Sequence, residues 1–407
     1  MIASRKPPQQ ASGALMWVRA NLFNSLVNSV LTLVLVTGIS WLGYQLLQWI
    51  FGGAHWQIVW NNAKLLAVYR YPNDLLWRPL LVVTLVVFLL GMSTCIPSQN
   101  NARILRGVFW SISGLVMLLT LIALPFWEAV RWNWLLASLA AFGGVWVGRK
   151  YPELLAKLPL FWLGLLLLSA LLIYGIIPAD RGPLRIVDVR NWGGFLLTVV
   201  ITTVGILVSF PLGVFLALGR RSNLPIIKFI CIGFIELIRG APLVKWLFMA
   251  SLLVPMMFNV SPDSISPLMR ALVAVTLFSA AYMAENVRGG LQAIPKGQEE
   301  AARALGLSGW QTTYLIVLPQ ALRAVIPPIV SQAIGLFKGT SLVFIIGLFD
   351  FFNVANQAVA NQPETLLIPG GIRLELSLLM VVVYFFFAYR MSVASRQIEK
   401  NLGVGER

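Results

Sequence analysis

Histidine and cysteine are almost missing from this chain, which has one histidine and two cysteines in 407 residues. Metal centres and nucleophilic sites draw on clusters of His, Cys and carboxylate side chains, and His55 has no such cluster near it in the sequence. Cys95 and Cys231 lie in or beside apolar runs, where a free thiol packs as a small hydrophobe. No disulfide is inferred. Charge is scarce as well: 11% of residues are charged and 58% are hydrophobic, whereas a soluble domain carries about 25% charged residues. These shortages argue against a soluble enzyme, and the hydrophobicity excludes a disordered chain. Acid is scarcer than base, with 15 Asp+Glu against 31 Lys+Arg and a formal net charge of +16. In so apolar a chain that excess marks cytoplasmic loops and contact with lipid headgroups, not nucleic acid.

The apolar residues fall into long runs. A helix crossing the hydrocarbon core needs about 20 mostly apolar residues. Ten runs qualify as expectations: 26–51, 79–96, 107–127, 133–148 and 160–178, then 193–218, 226–257, 268–287, 314–347 and 371–391. Pro242, Pro319, Pro327 and Pro328 predict that the two longest runs are kinked or broken. Arg5, Lys6 and Arg19 precede the first run, which starts late and lacks a small-residue cleavage site, so it reads as a span and not a signal peptide. The positive-inside rule then puts both termini in the cytoplasm, with Arg220, Arg221, Lys228 and the stretch Arg288 to Arg303 on the same side.

The character of the runs changes near residue 192. Before it the spans are rich in Leu, Val and Trp. After it Glu236, Arg239, Lys245, Glu285 and Lys338 lie in or close to apolar runs, and charge at membrane depth suggests function. The expected division is an N-terminal extension with about five transmembrane helices (1–192), a working module (193–396) and a short cytoplasmic tail (397–407). Gly144-x-x-x-Gly148 fits a helix-packing motif, although chance in a glycine-containing apolar run explains it equally well.

The most informative segment is 285–319, polar and yet strongly helical. Pro295 can open a helix. Glu299 to Leu305 are good helix formers, and Glu299 and Arg303 stand in the favourable i,i+4 order. Gly306 fits a helix stop, and Ser308 with Gln311 forms a capping box for the next helix. The expected result is a short helix, a glycine turn and a second helix entering the membrane. A compact knob of this kind suits insertion into a cleft of another protein, and an ordinary amphipathic linker helix has about equal weight on these grounds alone.

This segment resembles the signature loop of ABC-importer permeases: Glu300-Ala301-Ala302, then Gly306, then Ile316-x-Leu318-Pro319, without a gap. The flanks at 279–312 and 316–343, and FIELIRGAPLVKW at 234–246, resemble the polar amino acid group, which handles histidine, glutamine, glutamate, arginine and opines. The resemblance covers about 193–396. The extra N-terminal spans resemble the longer permease of general L-amino acid systems. The fold it implies is an all-α integral membrane protein of about ten helices, a type I permease core with a helical extension.

The function it implies is the membrane subunit of an importer in a bacterial inner membrane. A periplasmic binding protein delivers an L-amino acid, a second related permease chain completes the pore, and two ATPase subunits hold ATP-Mg and drive transport through the loop around Glu300. Gly306, Gly289 and Gly290 are expected to let the chain bend at either end of the knob, and Ala301 and Ala302 to permit close approach. No cofactor is expected on this chain, because it has no phosphate loop. The string from Gly335 to Ser341 has the wrong order and sits in a membrane run. One departure is Gly339, where many relatives carry Asp; it implies that a substrate or ion contact is lost or left to the partner. Another is Ala241, where they carry Thr.

A zwitterion crossing hydrocarbon needs donors for its carboxylate and acceptors for its ammonium group, which broken spans supply. The candidates are Ser331, Gln332, Lys338, Thr340 and Ser341, together with Glu236 and Arg239. These last two stand i,i+3 and can pair with each other; a salt bridge fixing the fold outweighs a substrate role for them. Interhelical hydrogen bonding is an equal reading for Ser331 and Gln332. Glu285 and Arg288 read as scaffold for the loop. The alternative function, a stand-alone secondary amino acid transporter, would show paired inverted repeats, and none is visible.

Overall fold

The computed structural model describes residues 13–96, 99–126, 128–178, 181–257, 259, 261 and 264–401. The expectations for Arg5, Lys6, the last residue of the run 107–127 and the tail beyond residue 401 lie outside the described residues. Helices carry nearly all of the described chain, because backbone groups inside hydrocarbon must find partners within their own segment. The chain falls into two compact units, Met1–Trp56 and Gln57–Arg407. In the first, α1 (Leu26–Gln48) starts at Ser25, whose side chain accepts the Asn28 amide, and it contains no buried residue.

The second unit contains α2 (Trp77–Ser93), α3 (Gln99–Phe126), α4 (Glu128–Lys150), α5 (Leu158–Tyr174), α6 (Gly194–Arg220), α7 (Pro225–Arg239), α8 (Pro267–Gln292), α9 (Lys296–Ala304), α10 (Leu318–Gly339) and α11 (Arg373–Asn401). Among the described residues seven helical stretches are long and apolar enough to cross a membrane: Leu26–Gly53, Asn73–Ser93, Pro152–Tyr174, Gly194–Arg220, Pro267–Gln292, Gly309–Ile346 and Arg373–Lys400. They account for seven of the ten expected runs. The other three, 107–127, 133–148 and 226–257, lie on α3, on α4 and on α7 with the shorter apolar stretch Leu243–Met257. A count of ten spans therefore does not follow.

The two long proline-bearing runs behave differently. Run 226–257 breaks after Arg239, and helix resumes at Leu243. Run 314–347 does not break at its proline pair: Pro327 and Pro328 lie inside the continuous helix α10. The change of geometry comes at Thr340, where the α-helix tightens into a 3-10 stretch that ends at Gly347 with φ +82°.

The composition boundary near residue 192 falls inside the second unit. Tyr71, Leu75, Ile173 and Val187 share one buried cluster with Leu197 and Ile201 of α6, Ala271 and Val275 of α8, and Leu336 of α10. Arg78 is fully buried and donates from Nε and Nη2 to the Pro183 carbonyl at 2.9 and 2.6 Å, and from Nη2 to the Arg185 carbonyl at 2.9 Å. The Tyr71 hydroxyl donates to the Ile173 carbonyl at 2.7 Å.

Helices α2 and α4 meet along a glycine seam. A Cβ on Gly144 would collide with the Phe88 carbonyl, one on Gly91 would lie 2.5 Å from the Ala141 carbonyl oxygen, and one on Gly148 would lie 3.1 Å from Cys95. The Gly144-x-x-x-Gly148 spacing is thus a true close-approach motif, in which small residues let two backbones touch. Gly143, one residue away, has only ordinary contacts with Phe88. Gly144→Leu is expected to destabilise the protein by about 1–3 kcal/mol through overpacking, while Gly143→Ala is neutral or mildly stabilising; thermal unfolding in detergent checks both.

Candidate functional site

The expected knob is present in detail. Pro295 is the N-cap of α9, one position earlier than its reading as the first helical residue. The helix ends in a paired closure: the Gly306 amide donates to the Arg303 carbonyl at 2.9 Å, and the Leu307 amide to the Ala302 carbonyl at 3.1 Å. This two-bond stop needs a left-handed residue between them, and Gly306 supplies it at φ +79°. Ser308 and Gln311 then cap each other, the Ser308 amide donating to Gln311 Oε1 at 2.9 Å and the Gln311 amide to Ser308 Oγ at 3.4 Å.

Of the knob residues, Glu300 and Ala301 are exposed, whereas Ala302 is only 3% exposed. The expectation that both alanines face outward holds for Ala301 alone. Successive helical residues are about 100° apart, so Ala302 turns toward the bundle and seats the knob on it. Gly306 is open on all sides. Leu305 is 82% and Trp310 67% exposed, and the Trp310 and Tyr314 rings lie 4.3 Å apart between centroids. In the second half of the motif, Leu318 is buried with Val317, Ala321 and Val325 against Met283, Val287 and Leu291 of α8. Ile316 is half-buried and Pro319 exposed.

Polar contacts fasten the knob to the spans. Arg221, at the end of α6, donates to Glu299 at 3.1 Å, and Glu299 also lies 3.9 Å from Arg303. Gln320 Nε2 reaches Gln298 Oε1 at 3.5 Å. Arg221, Arg288, Lys296, Glu299, Glu300 and Arg303 line a cleft of about 620 Å³ between the knob and the helix ends.

Beside this cleft one carboxylate gathers three helices. Glu285 of α8 accepts from Arg288 of the same helix, with Nε at 2.7 Å and Nη2 also bonded, and its other oxygen lies 3.5 Å from Arg220 of α6 and 3.5 Å from Arg239 of α7. The expected mutual pairing of Glu236 with Arg239 does not occur. Glu236 binds Arg220 at 3.1 Å, while Arg239 reaches Glu285 and lies over the Tyr282 ring, 5.4 Å from its centroid. The half-buried carboxylate of Glu285 outcompetes the exposed one of Glu236, since opposite charges attract more strongly away from water.

Gly289 and Gly290 do not bend the chain, because α8 runs straight through both. A Cβ on Gly290 would strike Val325, so this glycine lets α8 and α10 approach each other.

The remaining candidates are dispersed. Gln332 bridges helices, donating to the Ser279 carbonyl at 2.7 Å and accepting from Asn286 at 3.0 Å. Ser331 and Lys338 are exposed. Thr340 is buried and donates to Asp350 at 2.9 Å, and the Ser341 carbonyl accepts from Asn353 at 2.8 Å. Thr340 follows Gln332 by eight residues, about 12 Å along the helix, so these two do not share one site. The sequence reading missed Asp350. Its carboxylate is fully buried and accepts from Thr340, from the Asn353 amide at 3.0 Å and from Asn353 Nδ2 at 2.7 Å. The available signal was the Asp-x-x-Asn spacing, in which an aspartate caps a short helix.

The family pattern described as binding-protein-dependent transport system inner membrane component matches residues 209–402. The chain belongs to the amino-acid ABC transporter permeases. It is 37% identical to the inner membrane amino-acid ABC transporter permease protein YhdY of Escherichia coli (strain K12), across 98% of this chain and 97% of that one. It is 35% identical to the glutamate/glutamine/aspartate/asparagine transport system permease protein BztC of Rhodobacter capsulatus, across 99% and 96%. A shorter relative, the probable glutamine ABC transporter permease protein GlnP of Bacillus subtilis, is 36% identical across 51% of this chain and 91% of its own length.

Removing the Glu285 carboxylate takes from Arg239 its one ion pair among the described residues, and one anionic partner each from Arg220 and Arg288, which keep Glu236 and Gln292 respectively. Glu285→Ala is expected to cost about 1.5–3 kcal/mol, the range for hydrogen bonds to charged groups, and Glu236→Ala well under 1 kcal/mol because that carboxylate is exposed. Thermal unfolding of the two variants side by side makes the comparison.

Proposed function

We propose that this chain is the membrane-spanning subunit of an ATP-driven importer of L-amino acids, coupled to two separate ATPase subunits through the knob at 296–319. The observation that carries the reading is the knob itself: a rigidly stopped and re-started helix pair that seats Ala302 inward and presents Glu300, Ala301, Leu305 and Trp310 outward. Large apolar side chains exposed on a polar loop mark a contact surface. A stiff element wedged in a moving cleft must move with it. The Arg221–Glu299 pair and the Gln320–Gln298 contact pass that motion to α6 and α10.

The remaining roles come from the family resemblance and the named activities of relatives. A periplasmic binding protein presents the amino acid, and a second related permease chain completes the pathway. ATP and Mg stay on the ATPases. The chain sits in a bacterial inner membrane with both termini and the knob in the cytoplasm. The names of relatives support polar side chains, including glutamate and glutamine, as substrates. Thr340, Ser341 and Gln332 are the residues of this chain proposed to face the path.

The test uses the assembled transporter in proteoliposomes. Glu300→Lys is expected to leave assembly intact and to abolish uptake and transport-linked ATP hydrolysis; normal uptake by a well-assembled Glu300→Lys protein overturns the reading. The exposed Arg221–Glu299 pair contributes only about 0.2–1 kcal/mol to stability, so its loss should weaken coupling without unfolding the chain. Arg221→Glu is expected to lower uptake per ATP hydrolysed, and the charge-reversed pair Arg221→Glu with Glu299→Arg to recover it. For topology, a cysteine replacing Gly306 in a background with Cys95→Ser and Cys231→Ser should react with an impermeant reagent only from the cytoplasmic side.

A further inference from the structure

The N-terminal extension is joined to the family core by a built contact at the end of the core opposite the knob. The short helix Ala63–Val68 ends at Tyr69, which stands at φ +56° and ψ −123°, a backbone conformation that side-chain-bearing residues rarely adopt. Such strain persists only where the surroundings over-determine it, and it gathers at clamps and switches. The Tyr69 ring stacks on Phe349 with centroids 5.4 Å apart and planes within 15°. Gly193 and Gly194, which open α6, accommodate the fit. A Cβ on Gly193 would lie 2.6 Å from both Tyr69 Cβ and the Phe349 carbonyl oxygen, and one on Gly194 would strike the Leu66 carbonyl. Gly194 itself needs its freedom, at φ +61°. Further along, Gln362 donates to Asn62 at 2.9 Å.

The first two contacts fall on one polar knot. Gly193 and Gly194 pair with Phe349 and Asp350 as adjacent parallel bridges. Asp350 holds Thr340 and Asn353, and the Phe351 amide donates to Thr198 of α6 at 3.1 Å. The extension therefore grips the turn that carries Thr340 and the segment that follows Asp350. Tyr71 and Arg78, both fully buried, anchor the grip from behind through the Ile173, Pro183 and Arg185 carbonyls.

We propose that residues 57–71 are a brace that holds the turn 340–350 and the segment 351–366 in one arrangement, with Tyr69 as its positioning residue, and so fixes one wall of the substrate path. The proposal rests on the reading of Thr340 and Ser341 as path residues. It gives the extension a role in transport. The shorter Bacillus relative matches only 51% of this chain, so about half of this chain has no counterpart there.

The test uses the full transporter with its ATPases, partner permease and binding protein in proteoliposomes. Amide hydrogen exchange and uptake of radiolabelled glutamine and glutamate are measured for Tyr69→Ala, Tyr69→Phe and Gln362→Ala. Loss of the ring contact is expected to speed exchange across 340–366 about tenfold, to leave Lys296–Ala304 unchanged, and to lower uptake about fivefold with ATP hydrolysis retained. Tyr69→Phe, which keeps the stacking, should match the unaltered protein. Gln362→Ala removes only the distal contact, so it gives the same readout, at smaller amplitude, if Tyr69→Ala fails to assemble. Unchanged exchange in 340–366 overturns the brace, and so does faster exchange with unchanged uptake. Ser341→Ala removes a hydroxyl while leaving the Ser341 carbonyl, the Thr340–Asp350 bond and the brace contacts in place, and so tests the path reading alone: normal uptake there refutes that reading, while the exchange result still decides whether the brace exists.

Discussion

One carboxylate organises the foot of this molecule. Glu285 receives guanidinium groups from α6, α7 and α8 in a half-buried position. Three cations on one anion leave a net positive centre, which Glu236 partly offsets from the exposed side. The arrangement fixes the mutual rotation of three helices at the level where the chain leaves α8 to form the knob. Without it the ends of α6 and α8 would repel each other, and the Arg221–Glu299 tie would have no fixed base from which to act. The knob is rigid in itself, and this cluster gives it a rigid mount.

The knob was legible in the sequence almost residue by residue because capping is local chemistry. A glycine stop and a Ser-x-x-Gln box each depend on groups within five residues of one another, so a linear reading captures them. What the sequence left open is tertiary. Which alanine of the Glu300-Ala301-Ala302 triplet faces the bundle depends on where the stretch Thr312–Val317 packs against the knob. Glu236 and Arg239 stand at helical pairing distance, yet their partners come from other helices, and no spacing rule ranks Glu285 above Glu236. The role of Gly290 follows the same logic: a glycine read as a hinge is a contact point, because the facing Val325 lies 35 residues further along the chain.

The upper knot around Asp350 shows the other limit. Its neighbours Thr198, Thr340 and Asn353 come from three segments, and Tyr69 reaches the same place from the extension. Composition divides the chain near residue 192, yet packing unites residues on either side of that point in a single buried cluster. Apolar periodicity reports which surfaces avoid water and says nothing about whether they avoid it against lipid or against protein, so the reach of the extension into the core was invisible until the helices were placed.

Arg78 carries a consequence for the order of assembly. Its guanidinium is wholly enclosed; it donates to the carbonyls of Pro183 and Arg185 and lies beside Tyr71. Those groups are made more than a hundred residues later in synthesis. Without those carbonyls the enclosed cation would lose most of the groups that replace its hydration, with Tyr71 remaining beside it. The stretch 183–185 thus completes the surroundings of a cation that precedes it by more than a hundred residues, and the head of α2 reaches its final environment only once that stretch is in place.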